Sequence, residues 1–112
     1  MKRLFGGLVA LALTAGAAWA EECTYENDPP EMPDPATATA EDRSEAITSI
    51  KDYQESLNGY RACLDVIIKN TELERETRQA ALDKFNATVD WETAIVEKWQ
   101  AFDAAYQDAQ DG

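Results

Sequence analysis

Histidine is absent from all 112 residues, which removes the commonest general base, proton shuttle and transition-metal ligand. With it go the Ser/His/Asp, Cys/His and H-E-x-x-H arrangements, and no glycine-rich phosphate loop is present. Carboxylates, lysines and tyrosines are what remain for chemistry. Glu92 stands out among them, because it falls in an apolar stripe where the period calls for an apolar residue. A buried carboxylate so placed can serve as a general acid. The plainer reading is preferred: Glu92 hydrogen-bonds a tyrosine or sits at the edge of a layer and fixes helix register, since a two-helix hairpin has no deep cleft to shelter a reaction. The acidic run Glu26, Asp28, Glu31 and Asp34 lacks the D-x-D-x-D-G spacing and twelfth-position Glu of a calcium loop, and reads as a solvated linker. Asn86-Ala87-Thr88 matches the glycosylation sequon, but it sits mid-helix in what reads as a bacterial export product and is discounted. The expectation is a protein with no catalytic residue, no metal site and no cofactor.

The two cysteines, Cys23 and Cys63, have reactivity of a different kind. In an oxidising compartment they permit one intramolecular disulfide. Its loop of 40 residues would contribute about 4 kcal/mol in the chain-entropy account. Two free thiols or a bridge between chains are the alternatives. The compartment follows from the start of the chain. Lys2 and Arg3 precede an apolar run from Leu4 to Leu13, then small residues ending in Ala18-Trp19-Ala20, which is the order of an export signal. The apolar run is too short to cross about 30 Å of hydrocarbon at about 1.5 Å per residue. Residues 1 to 20 are therefore expected to be removed, leaving a mature chain from Glu21 that is periplasmic or secreted, without a membrane anchor.

Removing Lys2 and Arg3 moves the formal charge from −12 to −14. So acidic a surface repels phosphate backbones and anionic headgroups, which are captured by Lys/Arg patches. Nucleic acid is thus not an expected partner. The remaining chain is one domain at most, and small domains often need a staple or a partner.

These groups must be positioned by helices. All four prolines, Pro29, Pro30, Pro33 and Pro35, lie in residues 21 to 36, and proline fixes its own φ and pushes its predecessor out of the α region, so this segment is predicted to be extended. Residues 37 to 69 form the first predicted helix, with Thr37 or Thr39 as N-cap and Glu41-Asp42 in the first turn. Ala46, Ile50, Tyr53, Leu57, Tyr60, Leu64 and Ile67 recur in steps of four and three, a heptad seam of coiled-coil type. Thr71-Glu72-Leu73-Glu74 has the form of a capping box, so a second helix is predicted from Thr71 to Ala109. Its stripe takes in Ala81, Leu82, Phe85, Val89, Ile95, Val96, Trp99, Phe102 and Tyr106, with Trp91 at its edge and Glu92 near its centre. A short turn between two such helices makes an antiparallel hairpin.

In the expected register Phe85 lies near Leu57, and the aromatic end of the second helix outruns the first. Trp91, Glu92, Trp99, Phe102 and Tyr106 then form a candidate interaction surface, because exposed aromatics together mark a contact. The proline segment could cover part of it. Sixteen steps from Cys23 to Thr39 reach roughly 50 Å in polyproline II, enough to run back along the first helix and close the disulfide. Ser49, Ser56, Gly59 and Cys63 offer a strip of small residues for its backbone to pack on.

Tyr60-Arg61-Ala62-Cys63-Leu64-Asp65 and Phe85-Asn86-Ala87-Thr88-Val89-Asp90-Trp91-Glu92, followed by Trp99 and Tyr106, give the chain a further likeness. It resembles a group of small uncharacterised exported proteins of proteobacteria, with a Y-x-x-C-L pattern in one helix and N-x-x-V-x-x-x-E in the next. Trp91 and Trp99 depart from that group, which more often carries small or charged residues there. The resemblance implies location and architecture and brings no activity. The expected function is a non-enzymatic interaction or structural protein, with an unknown protein partner or a second copy of itself. The competing expectation is a small-molecule or ion-binding module within a helical bundle.

Overall fold

The computed structural model describes residues 23–112. The expected signal peptide at residues 1 to 20 and the expected mature start at Glu21 lie outside the described residues. Among those described there are two helices, α1 (Ala40–Lys69) and α2 (Arg75–Asp111), and no strand. They pack antiparallel as a hairpin, and the proline-bearing segment is tied back to α1 by a disulfide between Cys23 and Cys63.

α1 begins where its sequence can satisfy the free N–H groups of a helix start. Thr39, not Thr37, is the N-cap: its hydroxyl accepts from the Asp42 N–H at 3.1 Å, and the Asp42 carboxylate accepts from the Thr39 N–H at 3.0 Å. Aspartate thus closes a capping box usually completed by Glu or Gln. Ahead of it, the Asp34 carboxylate takes the Ala36 N–H at 3.0 Å and turns the chain into the helix. Ala46, Ile50, Tyr53, Leu57, Leu64 and Ile67 are buried and Tyr60 is half-buried, so the heptad seam of α1 forms as its spacing predicts.

The expected capping box at Thr71 does not form, and α2 starts four residues later, at Arg75. Asn70 ends α1 and organises the turn itself. Its side chain accepts the Glu72 N–H at 3.1 Å and its carbonyl accepts the Leu73 N–H at 3.2 Å. Residues 71 to 74 are therefore spent on the connection, and Glu74 stands at the N-cap with no side-chain hydrogen bond. The delay moves α2 along its partner. Phe85 packs with Leu64 and Ile67 rather than beside Leu57, an offset of one heptad from the expected register. The far end of α2 consequently lies alongside α1 instead of outrunning it, with Arg43 over the rings of Trp99 and Tyr106 at 5.1 and 5.9 Å.

The extended segment runs back over one side of this hairpin as a strap. Cys23 is buried against Leu64, Ile67 and Ala81. The Tyr25 ring stacks on Tyr60 at 5.0 Å and on Trp91 at 6.1 Å, and its hydroxyl pairs with Ser56 at 2.9 Å. Further on, Asn27 accepts a hydrogen bond from the Tyr53 hydroxyl. Met32 then packs on Trp99, and Ala38 is buried against Phe102 and Tyr106. The strap therefore contributes side chains to the core at three levels of the hairpin.

Gly59 is the exception to this covering. A methyl group at its Cβ position would meet nothing within 4 Å, so the strap does not use the expected close approach there and only Ser56 and Cys63 of the small-residue strip engage it. Gly59 remains an exposed glycine inside a helix, which is unfavourable by about 0.5–1 kcal/mol relative to alanine. Gly59→Ala is expected to raise the unfolding free energy by that amount, read as a higher urea midpoint at unchanged m-value. A lower midpoint would mean that another chain segment occupies the space.

Candidate functional site

The observed burial pattern identifies the true seam of α2. Ala81, Thr88, Ile95, Phe102 and Tyr106 are buried, with Phe85, Glu92 and Trp99 half-buried between them, in alternating steps of four and three. Two polar residues thus occupy positions of an otherwise apolar seam. Thr88 is fully buried, at 0% exposure, and a buried hydroxyl without partners is costly.

Arg61 of α1 supplies those partners. Its guanidinium donates to the Thr88 hydroxyl at 2.7 Å, to the Thr88 carbonyl at 3.1 Å and to the Glu92 carboxylate at 2.6 Å. The Thr88 hydroxyl in turn donates a hydrogen bond to the Phe85 carbonyl at 2.6 Å, and Gln54 donates to the other oxygen of Glu92 at 3.3 Å. Asn58 accepts a further guanidinium hydrogen at 3.1 Å. Of the two expected roles, a bond to tyrosine or a place at the edge of a layer, Glu92 makes no tyrosine bond and instead pairs with an arginine, with both of its oxygens engaged. A carboxylate held in this way ties α2 to α1 at one level of the hairpin.

The other residues of the candidate surface separate into two groups. Trp91 is half-buried under Tyr25 of the strap, and Trp99 is half-buried beneath Arg43. Phe102 and Tyr106 are 4% and 8% exposed, so the expected exposed aromatic patch is not formed. The Met32 and Ala38 side chains cover it, as the reach of the proline segment allows. Arg43 also donates to Asp103 at 2.9 Å, and that hydrogen bond holds the Asp103 carboxyl below its ordinary value.

The uncovered face lies on the opposite side of the hairpin, flanking the seam. Leu82, Val89, Val96 and Asp103 follow one another at intervals of seven on α2. Leu82 and Val89 are 37% and 48% exposed, large for apolar side chains beside a core. A groove of about 580 Å³ runs here, lined by Arg61, Phe85, Val89, Glu92, Thr93 and Val96. Near the turn, Arg75 and Arg78 border the same face with Ile68 and Leu82, and the Arg78 Nε is buried without a hydrogen-bond partner. Sequence reasoning included Leu82, Val89 and Val96 in a broad buried stripe and passed over Arg61 and Thr88. The signal that separates them is the strict four-three alternation through Thr88, which leaves those three residues one position outside the seam.

Among the described residues no group of three or more acidic or cysteine side chains is placed to hold a metal ion, and no helix is long and apolar enough to cross a membrane. No family model, curated protein or solved structure matches the chain.

Two predictions follow from the polar groups. Arg61→Met should lower stability by about 2 kcal/mol, because it removes the donor to the buried Thr88 oxygen and leaves Glu92 with Gln54 alone. Adding Glu92→Met should restore part of that loss, and urea unfolding of the single and double variants would show strictly additive costs if the two residues were independent. The second concerns Tyr53, whose phenol is raised by burial first, then by the neighbouring Tyr25 and Glu92, against an opposing effect of Arg61. Burial raises Tyr60 as well. A raised phenol contributes stability that is complete below the unfolded value of about 10 and is lost as pH climbs through the folded value. Tyr53→Phe should therefore flatten the fall of stability above about pH 10, even though it also removes the hydrogen bond to Asn27; an alkaline limb identical to wild type would contradict the assignment.

Proposed function

We propose that the protein is an exported, non-enzymatic interaction module that binds a protein partner through the uncovered face of its hairpin. The observation that carries the reading is the asymmetry of covering. One side of the two-helix seam is closed by a disulfide-tied strap that buries its aromatics, while the other keeps Leu82 and Val89 in solvent. Apolar side chains in register along a helix are what a partner helix or segment packs against. The bridge between Cys23 and Cys63 supports an oxidising compartment, and with it the export reading.

Small-molecule binding would use the apolar hollow lined by Ile47, Ile50, Val96 and Trp99 or the groove beside Arg61 and Glu92. There the guanidinium and the inner carboxylate already satisfy each other at 2.6 Å. A ligand would gain little from either charge, whereas Val89 on the rim is 48% exposed and available to a protein surface, with the half-buried Val96 beside it.

A photo-crosslinking side chain placed at Val89, at Val96 or at Ser49 on the strap side, in the protein as exported by its host cell, tests this. Crosslinked protein species are expected at Val89 and Val96 and absent at Ser49. Crosslinks at Ser49 alone, or at none of the three, would overturn the reading.

A further inference from the structure

Resting on that reading, we infer that the partner is a second copy of this chain, packed antiparallel along α2 about a two-fold axis at Val89, so that two hairpins complete a four-helix arrangement. The sequence of the open face is self-complementary about that residue. An axis at Val89 sets Leu82 against Val96 of the partner copy, each seven positions away, and Arg75 against its Asp103, each fourteen away. Between these, Gln79 and Asn86 lie one position out of exact opposition with Gln100 and Thr93 of the partner copy. Apolar residues meet apolar ones, amides meet polar side chains, and a cation meets an anion. An isologous contact requires this of one surface.

The charge distribution points the same way. The chain as a whole carries −12, and two such bodies repel through most of their surfaces. The open face does not share that excess. It offers Arg61, Arg75 and Arg78 against Glu92, Glu97 and Asp103, with Asp103 sharing its carboxylate with Arg43 of its own chain at 2.9 Å. The cations Arg75 and Arg78 sit toward the turn, and the carboxylates Glu97 and Asp103 toward the other end. An antiparallel pairing lays the basic end of each copy on the acidic end of the other, while a parallel pairing would stack like on like. Arg61 also comes near the axis, already neutralised by its own Glu92 at 2.6 Å. A foreign acidic partner would gain the valine contacts and lose this matching.

Sedimentation velocity of the disulfide-intact exported protein, from about 1 to about 200 µM, spans the affinities that a small helical interface reaches. A concentration-dependent shift from monomer to dimer is expected. Val89→Lys places two ammonium groups on the axis and should leave a monomer at every concentration, with its helical circular dichroism retained. Arg75→Glu should weaken the dimer by about three- to tenfold, as two exposed ion pairs are lost. Val89→Cys should form an interchain disulfide under mild oxidation, whereas Val66→Cys, on the outer side of α1 and 51% exposed, should not. Wild type that stays monomeric throughout, or a dimer that survives Val89→Lys, overturns the inference. Monomeric wild type that still crosslinks at Val89 to a chain of another mass removes the second copy and leaves the interaction face standing; no crosslink at Val89 removes both.

Discussion

The hydrogen-bonded layer of Arg61, Thr88 and Glu92 is the constraint to which the rest of the fold answers. A heptad seam repeats every seven residues, so two such helices can pair in neighbouring registers with similar apolar contact. A polar layer removes that degeneracy. If α2 slid by one heptad, Arg61 would face the level of Ala81 and Phe85, and the Thr88 hydroxyl and Glu92 carboxylate would lose the guanidinium that satisfies them. Leaving the fully buried Thr88 oxygen without its donor costs more than the matched hydrogen bond contributes. The layer therefore acts chiefly by rejecting the wrong register, and only secondarily by adding stability.

Once that register is fixed, the path of the strap follows. Tyr25 finds Tyr60 and Trp91 at one level, Asn27 finds Tyr53 at the next, and Ala38 meets Phe102 and Tyr106 at the last. Shifting α2 would separate Tyr60 from Trp91 and open the slot into which the Tyr25 ring fits. The disulfide with Cys63, whose Cα atom lies 5.6 Å from that of Cys23, fixes one end of the strap, and the Thr39 capping box fixes the other. A segment rich in proline has little conformational freedom to lose between such anchors. A hairpin too small to bury a core of its own thereby gains a third layer without a third helix.

Much of this was legible in the sequence, and the reasons for the remainder are local. The α1 seam was plain because seven apolar positions alternate without interruption from Ala46 to Ile67. The reach of the proline segment and the pairing of two cysteines followed from chain geometry. The start of α2 was misplaced because Thr71-x-x-Glu74 has capping-box chemistry, yet Asn70 competes for the same backbone as an Asx turn, and its side chain wins the Glu72 N–H. That error of four residues carried through to the register and to the expected exposure of Phe102 and Tyr106. The α2 seam was blurred because Thr88 and Glu92 break its apolar signal, while Leu82 and Val89, just outside it, imitate it. Hydropathy alone assigns the valine to the core and the threonine to the surface. The strict four-three alternation through Thr88, with Arg61 as its partner, reverses the two.

The same exchange explains why the open face is a selective surface and not a general adhesive one. Had Val89 occupied the seam and Thr88 the rim, the hairpin would have a drier core and an outward face of ordinary polarity. Instead the polar residue lies inside and a row of branched apolar residues stands outside, with Gln79, Asn86, Thr93 and Gln100 forming a polar row beside it. A flat apolar stripe would accept many partners, whereas one bordered by amides and hydroxyls favours a surface that meets its hydrogen bonds in register. Arg61 lies at the junction, holding the inner layer while its side chain lines the outer groove. The residue that sets the register of the two helices thereby also sets where on the open face an approaching helix encounters charge.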